Sequence, residues 1–252
     1  MNAAHLTAAA ERAGVRYTTL LGAFGTVFAH FAGMSDPGSD GVRKAAVAQS
    51  YSLAERYLVS EADYISSDIE RQRDGAIKET LTALGVSDGL ASETTIEHAD
   101  LIASELEGTL RVQLERDISA LVKGLRDIAL RASLVGRARG ISRLSALAAM
   151  RADNAPQTPQ FAFLDRAGRR WSSERLIKTV WRHALVLTWN ETALLTMSEY
   201  NVTDAQIEHP DENYAELGTV ISLAENAAGI TWSQVRDDLF HPNSNAWLTP
   251  VI

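Results

Sequence analysis

The sequence predicts a mainly α protein with a smaller α+β C-terminal domain, its long N-terminal helices arranged as a bundle or as helix pairs. Three observations predict this. Apolar residues from Leu6 to Phe31 recur at helical spacing. A heptad run follows between Leu114 and Val135. The aromatic content then changes sharply: seven aromatics lie in Tyr17–Tyr64, none in the ninety-six residues Ile65–Gln160, and ten in the last ninety-two. The change falls beside Asp153–Gln160, whose two prolines discourage regular structure. Residues 1–152 are therefore expected to form a helical domain and 161–252 an α+β domain, with a linker at about 153–160.

The first helix is read from Leu6, Ala10, Ala13, Tyr17, Leu20, Phe24, Val27 and Phe31, four and three residues apart on one stripe. No fixed charge lies in Tyr17–Met34. A membrane-inserting segment and a buried helix both suit that stretch. The polar Thr18, Thr19, Thr26 and His30 favour the buried helix, because a spanning helix needs about 20 predominantly apolar residues. Gly33–Gly41, with Asp36-Pro37-Gly38, breaks the chain. A second helix is expected from Val42 to about Gln72, with Val47, Tyr51, Ala54 and Leu58 facing inward. Ser87-Asp88-Gly89 is a further break, and the longest helix starts near Thr94 or Thr95.

That helix carries the heptad Leu114, Ile118, Leu121, Leu125, Ile128, Ala132 and Val135. Self-association through 114–135 as an intermolecular coiled coil is one reading; an antiparallel pair inside one chain is the favoured one. Seven basic residues, Lys123, Arg126, Arg131, Arg137, Arg139, Arg143 and Arg151, face a single Asp127 across 123–151. They suit weak contact with DNA phosphates, an acidic partner surface or a solvated face. Gly136 and Gly140 predict a helical break.

Beyond the linker, Phe161–Asp165 reads as a strand and Arg166–Arg169 as a turn. Ser172 or Ser173 caps the next helix, with Glu174 beside its positive end. That helix runs through Ile177, Val180, Trp181, Ala184, Leu185, Thr188 and Leu195, and Asn201 suits its exit. Asp204–Glu208 and Tyr214–Leu223 read as strands. The tail His241–Pro250 is expected to fold back onto Phe161–Leu195 through Trp247 and Leu248, the rival being that Trp247 anchors an interface.

The composition bounds the chemistry. The chain of 252 residues has no cysteine, which excludes disulfides, thiolate nucleophiles and the usual structural zinc sites. The net charge of −8 reads as spread along the chain: 17 basic and 20 acidic residues precede Pro156, and 7 and 12 follow. Neither half is a basic nucleic-acid module by this count. The N-terminus lacks a signal-peptide pattern. No Gly-x-Ser-x-Gly, phosphate loop or zinc-protease helix is present. Asn190-Glu191-Thr192 matches a glycosylation pattern but says nothing without a signal peptide.

Four ordered pieces carry a resemblance. They are Asp165–Ser172; the helix from Glu174 with Arg182 and Asn190; Asp204–His209 followed by Gly218–Ser222; and Phe240-His241-Pro242-Asn243. Over roughly Phe161–Pro250 the chain resembles the phage minor capsid proteins related to the MuF head-morphogenesis family. The resemblance implies a structural, non-enzymatic protein of a tailed-phage head. It would bind portal or capsid proteins during assembly in the host cytoplasm and reside in the virion, with no cofactor. Interaction candidates are Trp171, Arg182, His209, His241, Asn243 and Trp247. Relatives carry cysteines near the histidine aligned with His209 and after the aligned Asn243. Here those positions hold no cysteine, so cysteine-based metal or covalent chemistry is absent. Two alternatives stand: an internal protein ejected with DNA that contacts membrane through 17–34, and a metal-dependent hydrolase built on His209 and His241.

Overall fold

The spacing from Leu6 to Phe31 produces one helix, α1 (Ala3–Ala32), and all eight stripe residues are buried. A computed structural model describes the chain except residues 2, 88, 153–158, 160, 165–166, 225–228, 240, 242–243 and 252. The expected linker lies outside the described residues, apart from Pro159. After α1 come α2 (Asp40–Ala83), α3 (Glu93–Arg139), α4 (Arg143–Ala152), β1 (Ala162–Leu164), β2 (Arg170–Ser172), α5 (Ser173–Glu199), β3 (Asp204–Glu208), β4 (Val220–Ser222), α6 (Trp232–Leu239) and β5 (Trp247–Pro250). The protein is mainly α, with a small α+β part near its C-terminus.

Local signals set the helix ends. Ser39 accepts the Val42 amide at 3.3 Å and caps α2, and Ser92 accepts the Thr95 amide at 3.2 Å and caps α3. At the end of α3, Gly140 takes φ +63° and the Ile141 amide returns to the Gly136 carbonyl at 2.9 Å. That closure needs a residue tolerant of left-handed backbone. Ser172 caps α5 by accepting the Arg175 amide at 3.2 Å. Asn201, at φ 58°, ends α5, with the Val202 amide on the Met197 carbonyl at 3.0 Å.

The contacts divide the chain into two compact units, each assembled from separated segments. The first comprises Met1–Ala13, Glu61–Thr109 and Ile177–Ile252. Its core includes Ile177, Trp181, Leu185, Met197, Ile207 and Leu248. Its antiparallel sheet has the order β4-β3-β5, with Ala205 opposite Ile221 and Ile207 opposite Leu248. Trp181 donates its indole N–H to Asp68 at 3.1 Å, with Arg71 and Arg12 at 3.8 and 3.9 Å from the same carboxylate.

The second unit comprises Gly14–Ser60 and Leu110–Leu176. Here α1 approaches α3 closely: a Cβ at Gly124 would lie 2.8 Å from the Phe28 ring. Tyr17 and Tyr57 meet edge to face at 5.6 Å, and Phe24 lies 6.1 Å from Phe161. Leu114, Ile118, Leu121, Leu125, Ile128 and Ala132 are buried, and Val135 is half-buried. The heptad side of α3 is thus covered within the single chain. Arg151 donates to the Ala32 and Met34 carbonyls at 2.8 and 2.9 Å, satisfying the C-terminal end of α1. Tyr17–Met34, the candidate membrane contact, supplies core residues here: Phe24, Val27, Phe28 and Phe31 are all buried. Among the described residues no helix is long and apolar enough to cross a membrane.

Three expectations need correction. Helix α2 starts earlier and runs to Ala83, and its inward side holds Ala46, Ser50, Ala54 and Tyr57. Tyr51 is exposed and Val47 only half-buried. Ala54 and Leu58 are buried as expected, but small and polar residues fill the rest of the crowded side, so the apolar pattern set the face correctly at only two of its four positions. In Tyr214–Leu223 only Val220–Ser222 is strand; Tyr214–Leu217 is a turn, and Gly218 takes φ +79°. Finally, the tail docks, but not through Trp247. Side chains alternate along a strand, and in β5 it is Leu248 that is 2% exposed while Trp247 is half-buried.

Two stability outcomes follow from these placements. Leu125→Asp puts an unpaired charge into the closed face of α3 and should cost several kcal/mol, about the penalty for an uncompensated charge. Leu248→Ala should cost about 2–5 kcal/mol, and Trp247→Ala distinctly less. Thermal or urea melting of the purified chain measures both. Equal losses at 247 and 248 would show that the strand faces the other way.

Candidate functional site

The most densely bonded polar cluster lies in the second unit. Asp117, on α3, is 2% exposed. It accepts the Tyr17 hydroxyl at 2.6 Å, the Ser173 hydroxyl at 2.8 Å and the Gln113 amide at 3.1 Å. Gln113 also donates to the Ser173 hydroxyl at 3.0 Å. The cluster therefore ties α1, α3 and the first residue of α5. Burial raises the Asp117 pKa above the ordinary carboxylate value, opposed by the three hydrogen bonds and the Arg116 charge. Burial, then the Asp117 charge and hydrogen bond, push Tyr17 far up, so its phenol stays protonated. The Ser173 hydroxyl already donates to Asp117. The arrangement holds these helices in register.

A second constellation, in the first unit, fastens the tail. Asn190 of α5 is fully buried. Its amide donates to the Ala246 carbonyl at 3.2 Å and the Val186 carbonyl at 3.1 Å, and its oxygen accepts the Leu248 amide at 3.1 Å. One side chain thus satisfies both backbone groups that flank the inward end of β5. Arg182 donates to the Asn245 side-chain oxygen nearby. Burial lowers the Arg182 pKa. Asn190, being buried, is not an accessible glycosylation acceptor in this fold.

The remaining candidates fall apart rather than together. Trp171 sits in β2 beneath the Arg175 guanidinium, 4.5 Å from its ring centre. His209 stacks on Tyr214 at 4.0 Å and accepts the Asp211 amide at 3.0 Å, a turn contact. His241 is exposed near His183, whose pKa is lowered by burial and then by His241 and Arg236. Asn243 lies outside the described residues. Among the described residues no group of three or more His, Asp or Glu side chains is placed to hold a metal ion. A cavity of about 450 Å³ in the first unit is walled by Trp189, Gly75, Lys78, Glu79, Thr80 and Pro250.

Charge, by contrast, is sharply organised. The first unit carries 7 basic and 23 acidic side chains, net −16; the second carries 17 and 9, net +8. The sequence halves concealed this because each unit is built from distant segments. Of the seven basic residues in 123–151, Arg143 pairs with Asp36 at 2.6 Å and Arg151 serves α1, while Lys123, Arg126, Arg131, Arg137 and Arg139 are exposed on α3. The feature best suited to function is therefore a charged surface, not a pocket.

Asp117, Gln113 and Asp68 were not singled out in the sequence, Ser173 was read only as a candidate helix cap, and Asn190 only in the resemblance and in a glycosylation pattern. A signal existed for the first. Tyr17 lies on an apolar stripe, and a buried tyrosine hydroxyl needs a partner.

The raised Asp117 pKa sets a direction for pH dependence. The unfolded chain ionises this carboxyl first, so its contribution to stability falls as pH rises from about 3.9 through the higher folded value, and the deficit persists above both. Asp117→Asn should therefore gain stability relative to the parent as pH is raised from acid to neutral. Asp117→Ala should cost about 3 kcal/mol or more at neutral pH, because three donors lose their acceptor. Urea midpoints across pH test both; a parent-to-Asn difference that does not move with pH sinks the assignment. No protein-family profile, curated protein or solved structure matches the chain.

Proposed function

We propose that the chain is a structural, non-enzymatic minor capsid or head-morphogenesis protein of a tailed bacteriophage, binding portal or inner capsid during head assembly. The observation that carries a surface-binding role is the division of charge, −16 on one compact unit and +8 on the other. Surfaces of opposite sign steer partners and fix their orientation. The phage setting rests on the ordered resemblance over Phe161–Pro250. Of its described parts, Arg170–Ser172 lies in β2 paired with β1, Glu174, Arg182 and Asn190 lie on α5, and Asp204–Glu208 pairs with Val220–Ser222; the piece at 240–243 lies outside the described residues apart from His241. The basic unit provides contacts for an acidic capsid or portal surface, with weak DNA contact as a side property of Lys123, Arg126 and their neighbours. Release with the DNA is the competing virion role.

Composition of purified heads tests the proposal. Cross-linking mass spectrometry on intact particles should place the chain inside the head, with links to portal or major capsid protein, and the chain should remain after triggered DNA release. Its absence from heads overturns the reading, and its loss with the DNA makes it an ejected protein instead.

A further inference from the structure

Helix α3 is charged oppositely at its two ends. Glu93–Thr109 holds five acidic side chains and no basic one, whereas Lys123–Arg139 holds five basic residues and only Asp127 against them. The helix dipole favours these signs but acts within the first and last turns. It accounts for Glu93 and Arg137, not for Glu105, Lys123 or Arg126.

Each end also exposes leucine. Leu101 is 55% exposed, Leu130 59% and Leu134 56%. A lone exposed leucine is ordinary; the placement is what matters here. Glu97, Leu101 and Glu105 follow one another at four-residue steps on one face, all exposed. Lys123, Leu130 and Arg137 follow at seven-residue steps, with Arg126 and Leu134 alongside, again all exposed. These stripes are distinct from the closed heptad side that holds Leu121 and Leu125.

We propose that the acidic leucine stripe at the start of α3 docks on the basic leucine stripe at the end of α3 in a second copy of this chain. Leu101 packs between Leu130 and Leu134 of the other copy, and Glu97 and Glu105 flank its Lys123, Arg126 and Arg137. The chain itself supplies both halves of the match, in charge and in apolar character. Like stripes repel each other, so the contact joins two different surfaces. Other occupants fit less well. Nucleic acid takes up basic residues through phosphates and leaves leucines unused. Membrane interfaces favour aromatic anchors, and residues 65–160 contain none. The inference is independent of the phage reading, since it needs only the purified chain.

Sedimentation of the full chain over a wide concentration range tests it. The parent should self-associate, and Leu101→Glu or Leu130→Glu should each weaken association about tenfold or more, equivalent to roughly 1.4 kcal/mol. Both positions are exposed, and circular dichroism should confirm unchanged folding. A charge exchange decides the partner. Glu97→Arg with Glu105→Arg should remain monomeric alone, as should Lys123→Glu with Arg137→Glu, yet the two variants mixed should associate. A parent that stays monomeric at every concentration overturns the proposal. So does association indifferent to these substitutions, or a monomer whose basic stripe binds anionic vesicles or duplex DNA instead.

Discussion

Asp117 sets a condition that the second unit must satisfy. A carboxyl with almost no exposure is tolerated only where donors surround it. The donors come from Tyr17 on α1, Gln113 one turn earlier on α3, and Ser173 at the start of α5. Apolar packing alone accepts small slides of one helix along another, since leucines interchange at modest cost. A slide of one turn here would strip Asp117 of its donors. The cluster therefore selects one alignment, and the glycine contact between Gly124 and Phe28 sets how near the two helices come. The first unit uses the same device twice, with Asp68 holding the Trp181 indole and Asn190 holding the tail.

What was legible in the sequence follows from where burial coincides with hydrophobicity. The face of α1 was readable residue by residue because its inward positions are apolar from Leu6 to Phe31. So was the heptad of α3. The face of α2 was readable only at Ala54 and Leu58, because Ser50, Glu61, Asp68, Gln72 and Thr80 also lie inward there, and polar types give no apolar period. In the tail, residue size pointed to Trp247, but strand alternation decides orientation, and the pairing of Leu248 with Ile207 turned the smaller residue inward. The hydrogen bonds of Asn190 to the backbone on either side of Trp247 could not be foreseen, because they join positions 56 and 58 residues apart.

The division of charge was hidden for a related reason. Charge was counted along the chain, and the two sequence halves looked alike. Packing regroups the segments: Met1–Ala13, Glu61–Thr109 and Ile177–Ile252 together gather most of the acidic residues. The basic excess of 123–151 was visible as a local run, but its setting in a net basic unit was not. A surface distributed over several segments has no motif, only a sum that becomes meaningful once the segments are known.

The separation of charge also bears on how such a chain remains folded. A unit of net −16 repels itself, and self-repulsion lowers stability unless specific contacts offset it. In the first unit basic groups sit where they neutralise carboxylates: Arg236 meets Glu191 at 2.8 Å, Lys178 meets Glu11 at 2.7 Å, and the N-terminal ammonium meets Glu79 at 2.9 Å. Each pair has one well-exposed partner, and such pairs contribute little each. They leave most of the excess unneutralised. The exposed acids Glu93, Glu97, Asp100 and Glu105 on α3 belong to that excess. A surface kept at such charge gains more from a basic partner than a neutral one would, and that gain grows as salt is lowered. The acidic unit is thus held together by its buried core and its fastened tail rather than by its surface ion pairs.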